Sequence, residues 1–190
     1  MADDEDALSL DDLVPIPGGS WAGLLFDNTG IGLPPALTWS FRFPFAEVER
    51  DYGDSPVFLD VDWLPLPGAD WHAMTGQVVK ALGEPAECSV YFFQHHQYDL
   101  IDLEVLDQRG TDLHVRATLT GDLDGLGIDP ISADAWLPFG GLRVSLDDVT
   151  TAEAAEARLA ALVDINGLVV PPSAYHSAFH FQARCDEADE

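Results

Sequence analysis

Two segments of alternating hydrophobicity, Leu100–Leu106 and Leu113–Leu119, flank the polar stretch Asp107–Asp112, and this arrangement constrains the chain more than any other feature in it. Successive side chains on an extended strand point to opposite faces, so Leu103 and Val105 share one face with Leu113 and Val115. Gly110 suits a hairpin turn between them, and antiparallel pairing is expected. Pairing positions whose numbers sum to about 218 puts Asp102 opposite Arg116 and Glu104 opposite His114. Each such pair contributes only about 0.2–1 kcal/mol, so the apolar face sets the register and the charges agree with it.

Other segments read the same way. In Thr38–Phe45, Trp39, Phe41, Phe43 and Phe45 alternate with Thr38, Ser40 and Arg42. In Val57–Trp63, Val57, Leu59, Val61 and Trp63 are expected inward, and Phe58, Asp60 and Asp62 outward. Cys88–Phe93 reads as a more deeply buried strand, and Gly141–Leu146 and Tyr175–Arg184 as further strands. Two helices are predicted. Asp70 caps one through Leu82, with Trp71, Met74, Val78 and Leu82 as its stripe and Gly83 as its stop. Thr150 and Glu153 have capping-box spacing at the start of the other, which carries Ala152, Ala155, Leu159 and Leu162 towards Gly167. Together these predict an α+β fold: a largely antiparallel sheet of about six to eight strands with two main helices packed on it. Residues 1–14 read as an acidic flexible N-terminal tail, 15–184 as a single globular domain and 185–190 as an acidic C-terminal tail.

Charge narrows the partners. Eight Lys and Arg against 34 Asp and Glu give a net charge of −26. Phosphate backbones and anionic membranes need clustered cations, and here a single Lys80 joins seven scattered arginines, so neither is an expected partner. Hydrophobic residues make up 47% of the chain, enough for a stable core without disulfides or metals. Cys88 and Cys185 are far apart, and no secretory signal or apolar run of membrane-spanning length occurs, which together read as a cytoplasmic protein with reduced thiols.

The candidate chemistry is sparse. His95-His96-Gln97-Tyr98-Asp99 groups a titratable base, a donor and a carboxylate, but neighbouring strand residues point to opposite faces, so His95 and His96 do not converge on one atom. His176 and His180 have metal-pair spacing only on a helix; on a strand they lie about 13 Å apart. Asp60 and Asp62 share a face at roughly 6.7 Å, within the range of glycosidase carboxylate pairs, though 34 acidic residues make chance pairs common. The run from Gly121 to Asp129, with Asp122 and Asp124, resembles part of a calcium loop, yet Thr120 and Ile131 fall where ligands are required. GxSxG, Walker and GxGxxG signatures are missing from the sequence. No catalytic residue, metal or cofactor is therefore assigned.

The function expected from these features is that of a non-catalytic acidic binding protein that neutralises a basic protein partner, as an immunity- or antitoxin-type inhibitor or a DNA mimic does. The residues nominated for that contact are Asp60, Asp62, His95, His96, Tyr98, Asp99, Asp122 and Asp124. The alternatives are a soluble domain whose acidity reflects high salt or the base composition of its genome, and a hydrolase using the Asp60/Asp62 pair.

Overall fold

The computed structural model describes residues 7–30, 32–170 and 178–184. Eleven strands run in chain order: β1 Ser20–Asn28, β2 Leu33–Arg50, β3 Gly53–Leu64, β4 Val78–Val79, β5 Glu87–Phe92, β6 Gln94–Arg109, β7 Asp112–Asp122, β8 Ile131–Leu137, β9 Phe139–Ser145, β10 Leu168–Val169 and β11 Phe179–Ala183. Among the described residues the only α-helix is α1, Ala152–Ala160. The strands form one mixed sheet in the order β10-β11-β9-β1-β2-β3-β5-β6-β7-β8, with β4 pairing β6 from the side. The β1–β9 ladder is parallel and the rest are antiparallel. The expected α+β fold of six to eight strands and two helices is thus overturned in favour of a sheet of eleven strands with one helix among the described residues.

The predicted helix from Asp70 to Leu82 does not form. Tertiary bonds hold that stretch as successive turns: the Gln108 side chain accepts from the Met74 amide at 2.8 Å and donates to the Trp71 carbonyl at 2.8 Å. The Trp71 indole N–H donates to the Asp164 carbonyl at 2.6 Å, and Gly76 adopts φ +86°, which a continuous helix forbids. The other predicted helix exists, one residue later than its capping box suggested: Thr151 is the cap and its hydroxyl accepts from the Ala154 amide.

The β2 alternation works as expected, with Trp39, Phe41, Phe43 and Phe45 all buried. So does the β6–β7 hairpin, but two positions out of register: Glu104 pairs with Arg116, Asp102 with Thr118 and Val105 with Val115, and a bulge lies between Val105 and Asp107. A slip of two leaves every side chain on its correct face, which is why alternation cannot fix it.

Long strands let the sheet roll onto itself. In β6, Gln94–Gln97 pair with β5 while Tyr98–Arg109 pair with β7, and β8 comes to face Phe43–Phe45 of β2 across a shallow cleft. One core fills the interior, where the Trp21 ring lies 5.6 Å from Trp39 and 4.6 Å from Phe139, which stacks on Trp71 at 5.1 Å. Burying each such ring contributes about 1.5–3 kcal/mol. Close packing here depends on Gly23, since a Cβ at that position would lie 2.4 Å from a Leu142 methyl and 3.1 Å from the Trp39 ring.

Of the segment read as an N-terminal tail, residues 7–14 are described: Leu8 is buried, and the 3-10 turn Leu10–Asp12 is tied to β2 where Arg50 meets the Asp12 carboxylate and the Ala7 carbonyl, each at 2.9 Å. The 185–190 tail, Cys185, Tyr175 and His176 lie outside the described residues. Among the described residues, no helix is long and apolar enough to cross a membrane.

Candidate interaction site

The eight residues nominated from sequence fall into three environments. Asp60, Asp62 and His95 come together on the outer face of the sheet. Cross-strand pairing places Arg42, Asp60, Ser89 and Gln97 in one row over β2, β3, β5 and β6. Although it points outward, Asp60 is only 3% exposed, because the Arg42 guanidinium grips it with two bonds of 2.7 and 3.0 Å and then stacks over Phe58 at 4.9 Å. The bond to Asp60 raises the pKa of Arg42. Burial likewise pushes the Asp62 carboxyl up, with the Asp60 charge adding to it and a Ser40 hydrogen bond opposing. His95 Nδ1 lies 3.1 Å from the Ser89 hydroxyl, and its ring meets Tyr91 edge-on at 5.1 Å. Arg42 with Asp60 and Ser89 with His95 thus satisfy each other, and Asp60 is not a free carboxylate available to a substrate.

His96 faces the other way, opposite Val90 and half-buried, with Nε2 3.3 Å from the Phe92 carbonyl. Tyr98 is a core residue whose hydroxyl donates to the Ile128 carbonyl at 2.6 Å, and burial raises its pKa. Cys88 is buried too, its thiol pushed up to about 12 chiefly by desolvation, so it is inert as a nucleophile.

Asp122 and Asp124 build a loop around themselves. The Asp122 carboxylate accepts from the amides of Asp124, Gly125 and Gly127, Asp124 accepts from Gln97, and Asp129 accepts from Gly121 and Asp122. Burial alone would raise the Asp122 pKa, but those amides outweigh it and hold the group below the usual carboxylate range. Asp99 is exposed beside this loop. Among the described residues no group of three or more His, Cys, Asp or Glu is arranged to hold a metal ion. His180 Nε2 lies 2.9 Å from the Gly140 carbonyl instead.

The unspent charge lies elsewhere. Arg42, Arg50, Lys80, Arg109, Arg116 and Arg158 each lie 3.5 Å or less from a carboxylate. Of the 34 acidic residues, eight fall in 1–6 and 185–190, which leaves 26 in the rest of the chain against all eight cations, a net of −18. At the β2–β3 hairpin, Glu47, Glu49, Asp51 and Asp54 are all exposed, and no cation lies within ion-pair distance of them among the described residues. Between them stands Tyr52, 59% exposed, with its ring 4.8 Å from that of Phe93, 37% exposed, on the β5–β6 turn.

Phe93 holds that position through its backbone. The residue adopts φ +57°, unusual for a bulky side chain, and its amide donates to the Ser55 hydroxyl at 2.7 Å. The strand predicted through Phe93 therefore ends at Phe92, and Phe93 turns out to solvent beside Tyr52.

None of these tip residues was among those nominated from sequence. A signal existed for half of them: Asp51-Tyr52-Gly53-Asp54 separates two alternating runs and reads as a hairpin turn with Tyr52 at its apex. Phe93 gave none, since it ends an apolar run and only its backbone turns it out. Comparison with protein-family models, with curated proteins and with solved structures found no match, so the arrangement of these residues is what carries the functional reading.

Proposed function

We propose that the protein is a non-catalytic acidic binding protein that neutralises a basic protein partner, in the manner of an immunity- or antitoxin-type inhibitor or a DNA mimic, and that it docks this partner on the β2–β3 tip. The observation that carries the reading is the Tyr52/Phe93 pair, exposed together and flanked by Glu47, Glu49, Asp51 and Asp54. Aromatic anchors with low rotamer entropy are the commonest energetic centres of protein interfaces, and the faces of such rings attract Lys and Arg. The surrounding carboxylates steer a cationic surface towards the anchors and penalise anionic competitors.

The test is capture of partners from the native source with wild-type protein and with Tyr52→Ala as parallel baits, washed at low and at high salt. The reading expects one basic protein retained by the wild type, released by salt and absent from the Tyr52→Ala bait. Equal retention by both baits, or no basic protein on either, would sink it.

A further inference from the structure

At the opposite end of β2 from the tip, the sheet carries a cleft of about 970 Å³, near the upper end of the range for small-molecule sites. Its aromatic wall traces to one backbone irregularity. Phe41 pairs with Val61 but Trp39 pairs with Leu64, so β3 carries an extra residue between them, and Trp63 sits in that bulge at φ +54°. Leu64 takes the core position that the alternation assigned to Trp63, and the Trp63 indole is re-aimed outward into the cleft. There it lies 6.2 Å from the Phe26 ring of β1, and the two make one aromatic wall.

Charge defines what fits against that wall. Asp27, Glu84 and Glu87 line the cleft, and Arg143 is the single cation among the described residues that do so. We propose that this cleft is a binding site for a small aromatic amine, its ring against Trp63 and Phe26 and its ammonium directed to the carboxylates. The tryptophan face attracts a nearby cation through its ring quadrupole, and the carboxylates add to this attraction. The proposal is independent of the protein-docking tip, which lies at the other hairpin.

The test is an NMR titration of the full ¹⁵N-labelled chain at physiological ionic strength with tryptamine, indole-3-acetate and butylamine. Tryptamine is expected to give saturable shifts at the Trp63 indole and at the amides of residues 84–87. Indole-3-acetate and butylamine are expected to bind at least about 10-fold more weakly, as follows from losing the charge or the ring. Trp63→Gly, which relieves the positive φ while removing the ring, should keep a dispersed spectrum and lose about 10-fold in tryptamine affinity. Equal binding of the anion, shifts confined to other regions, no saturation, or unchanged affinity in folded Trp63→Gly would each overturn the assignment.

Discussion

Strands β2 and β3 carry two groups of charged residues, one midway along their length and one at the hairpin that joins them, and the two groups meet water in opposite ways. In the middle, Arg42 closes over Asp60, so a carboxylate on an outward face ends up buried and bonded twice to its cross-strand cation. At the hairpin, Glu47, Glu49, Asp51 and Asp54 have no such partner among the described residues and surround two exposed rings. What separates them is whether a cation sits opposite in the cross-strand register: Arg42 pairs with Asp60, whereas Glu49 pairs with Asp54. A row that satisfies itself serves stability, and one that does not is available to a partner.

The largest effect expected from breaking this contrast is in the middle. Arg42→Ala removes two charge-assisted bonds from the Asp60 carboxylate, and because Arg42 is half exposed and its loss reopens Asp60 to water, the cost should fall below that of a fully buried pair, at about 2–3 kcal/mol by urea unfolding. Replacing both residues by apolar ones should restore much of that stability. A loss below about 0.5 kcal/mol for Arg42→Ala would show that the row is an ordinary surface pair.

Next comes the tip. Tyr52→Ala should leave unfolding free energy within about 0.5 kcal/mol of wild type while weakening the captured partner by about 30-fold, the usual consequence of losing an interface anchor. Opposite outcomes for Arg42→Ala and Tyr52→Ala, stability lost in one and binding in the other, are the signature of the division. A Tyr52→Ala variant that unfolds readily would erase it.

Smaller effects come from pH. Burial would raise the Asp12 pKa, but the Ser9 amide and hydroxyl and the Arg50 guanidinium outweigh it and hold the group low, so its stabilisation is present above the unfolded carboxylate range and lost as pH falls through the folded pKa. Asp12→Asn should therefore lower the thermal midpoint at pH 7 and leave it unchanged near pH 2. Asp62 has the reverse sign: its pKa is raised by burial, so its contribution is complete at low pH and is lost as pH rises through the folded value. Asp62→Asn keeps an acceptor for Ser40 and should raise the midpoint at pH 7 by the smallest margin of these variants. Loss of stability at neutral pH in Asp62→Asn would contradict that sign.

How much of this could be read beforehand depended on the range of the interaction. Burial of Trp39, Phe41, Phe43 and Phe45 was legible because alternation is a local property. The faces of β6 and β7 were legible for the same reason, but their register was not, because the bulge after Val105 and the turn set it together. The Trp71/Met74 stripe resembled a helix because helical spacing alone cannot reveal that Gln108 and Asp164, distant in sequence, take over the backbone and indole bonds. Likewise Asp60 read as an outward-pointing carboxylate with no sign of its burial, and Trp63 as an inward residue, since neither the Arg42 lid nor the β3 bulge is encoded within a few residues of them. The sites hinge on two positive-φ residues, Phe93 and Trp63, where local pattern and actual backbone disagree.

The most direct test of the central claim, that the unpaired carboxylates of the tip are what a basic partner reads, is the salt dependence of affinity for the captured partner. Wild type should be compared with a variant carrying Glu47→Gln, Glu49→Gln, Asp51→Asn and Asp54→Asn together. Affinity of the wild type is expected to fall steeply with rising salt, and the neutralised variant should bind more weakly in dilute buffer with a clearly flatter slope. Identical slopes for the two proteins would contradict the account.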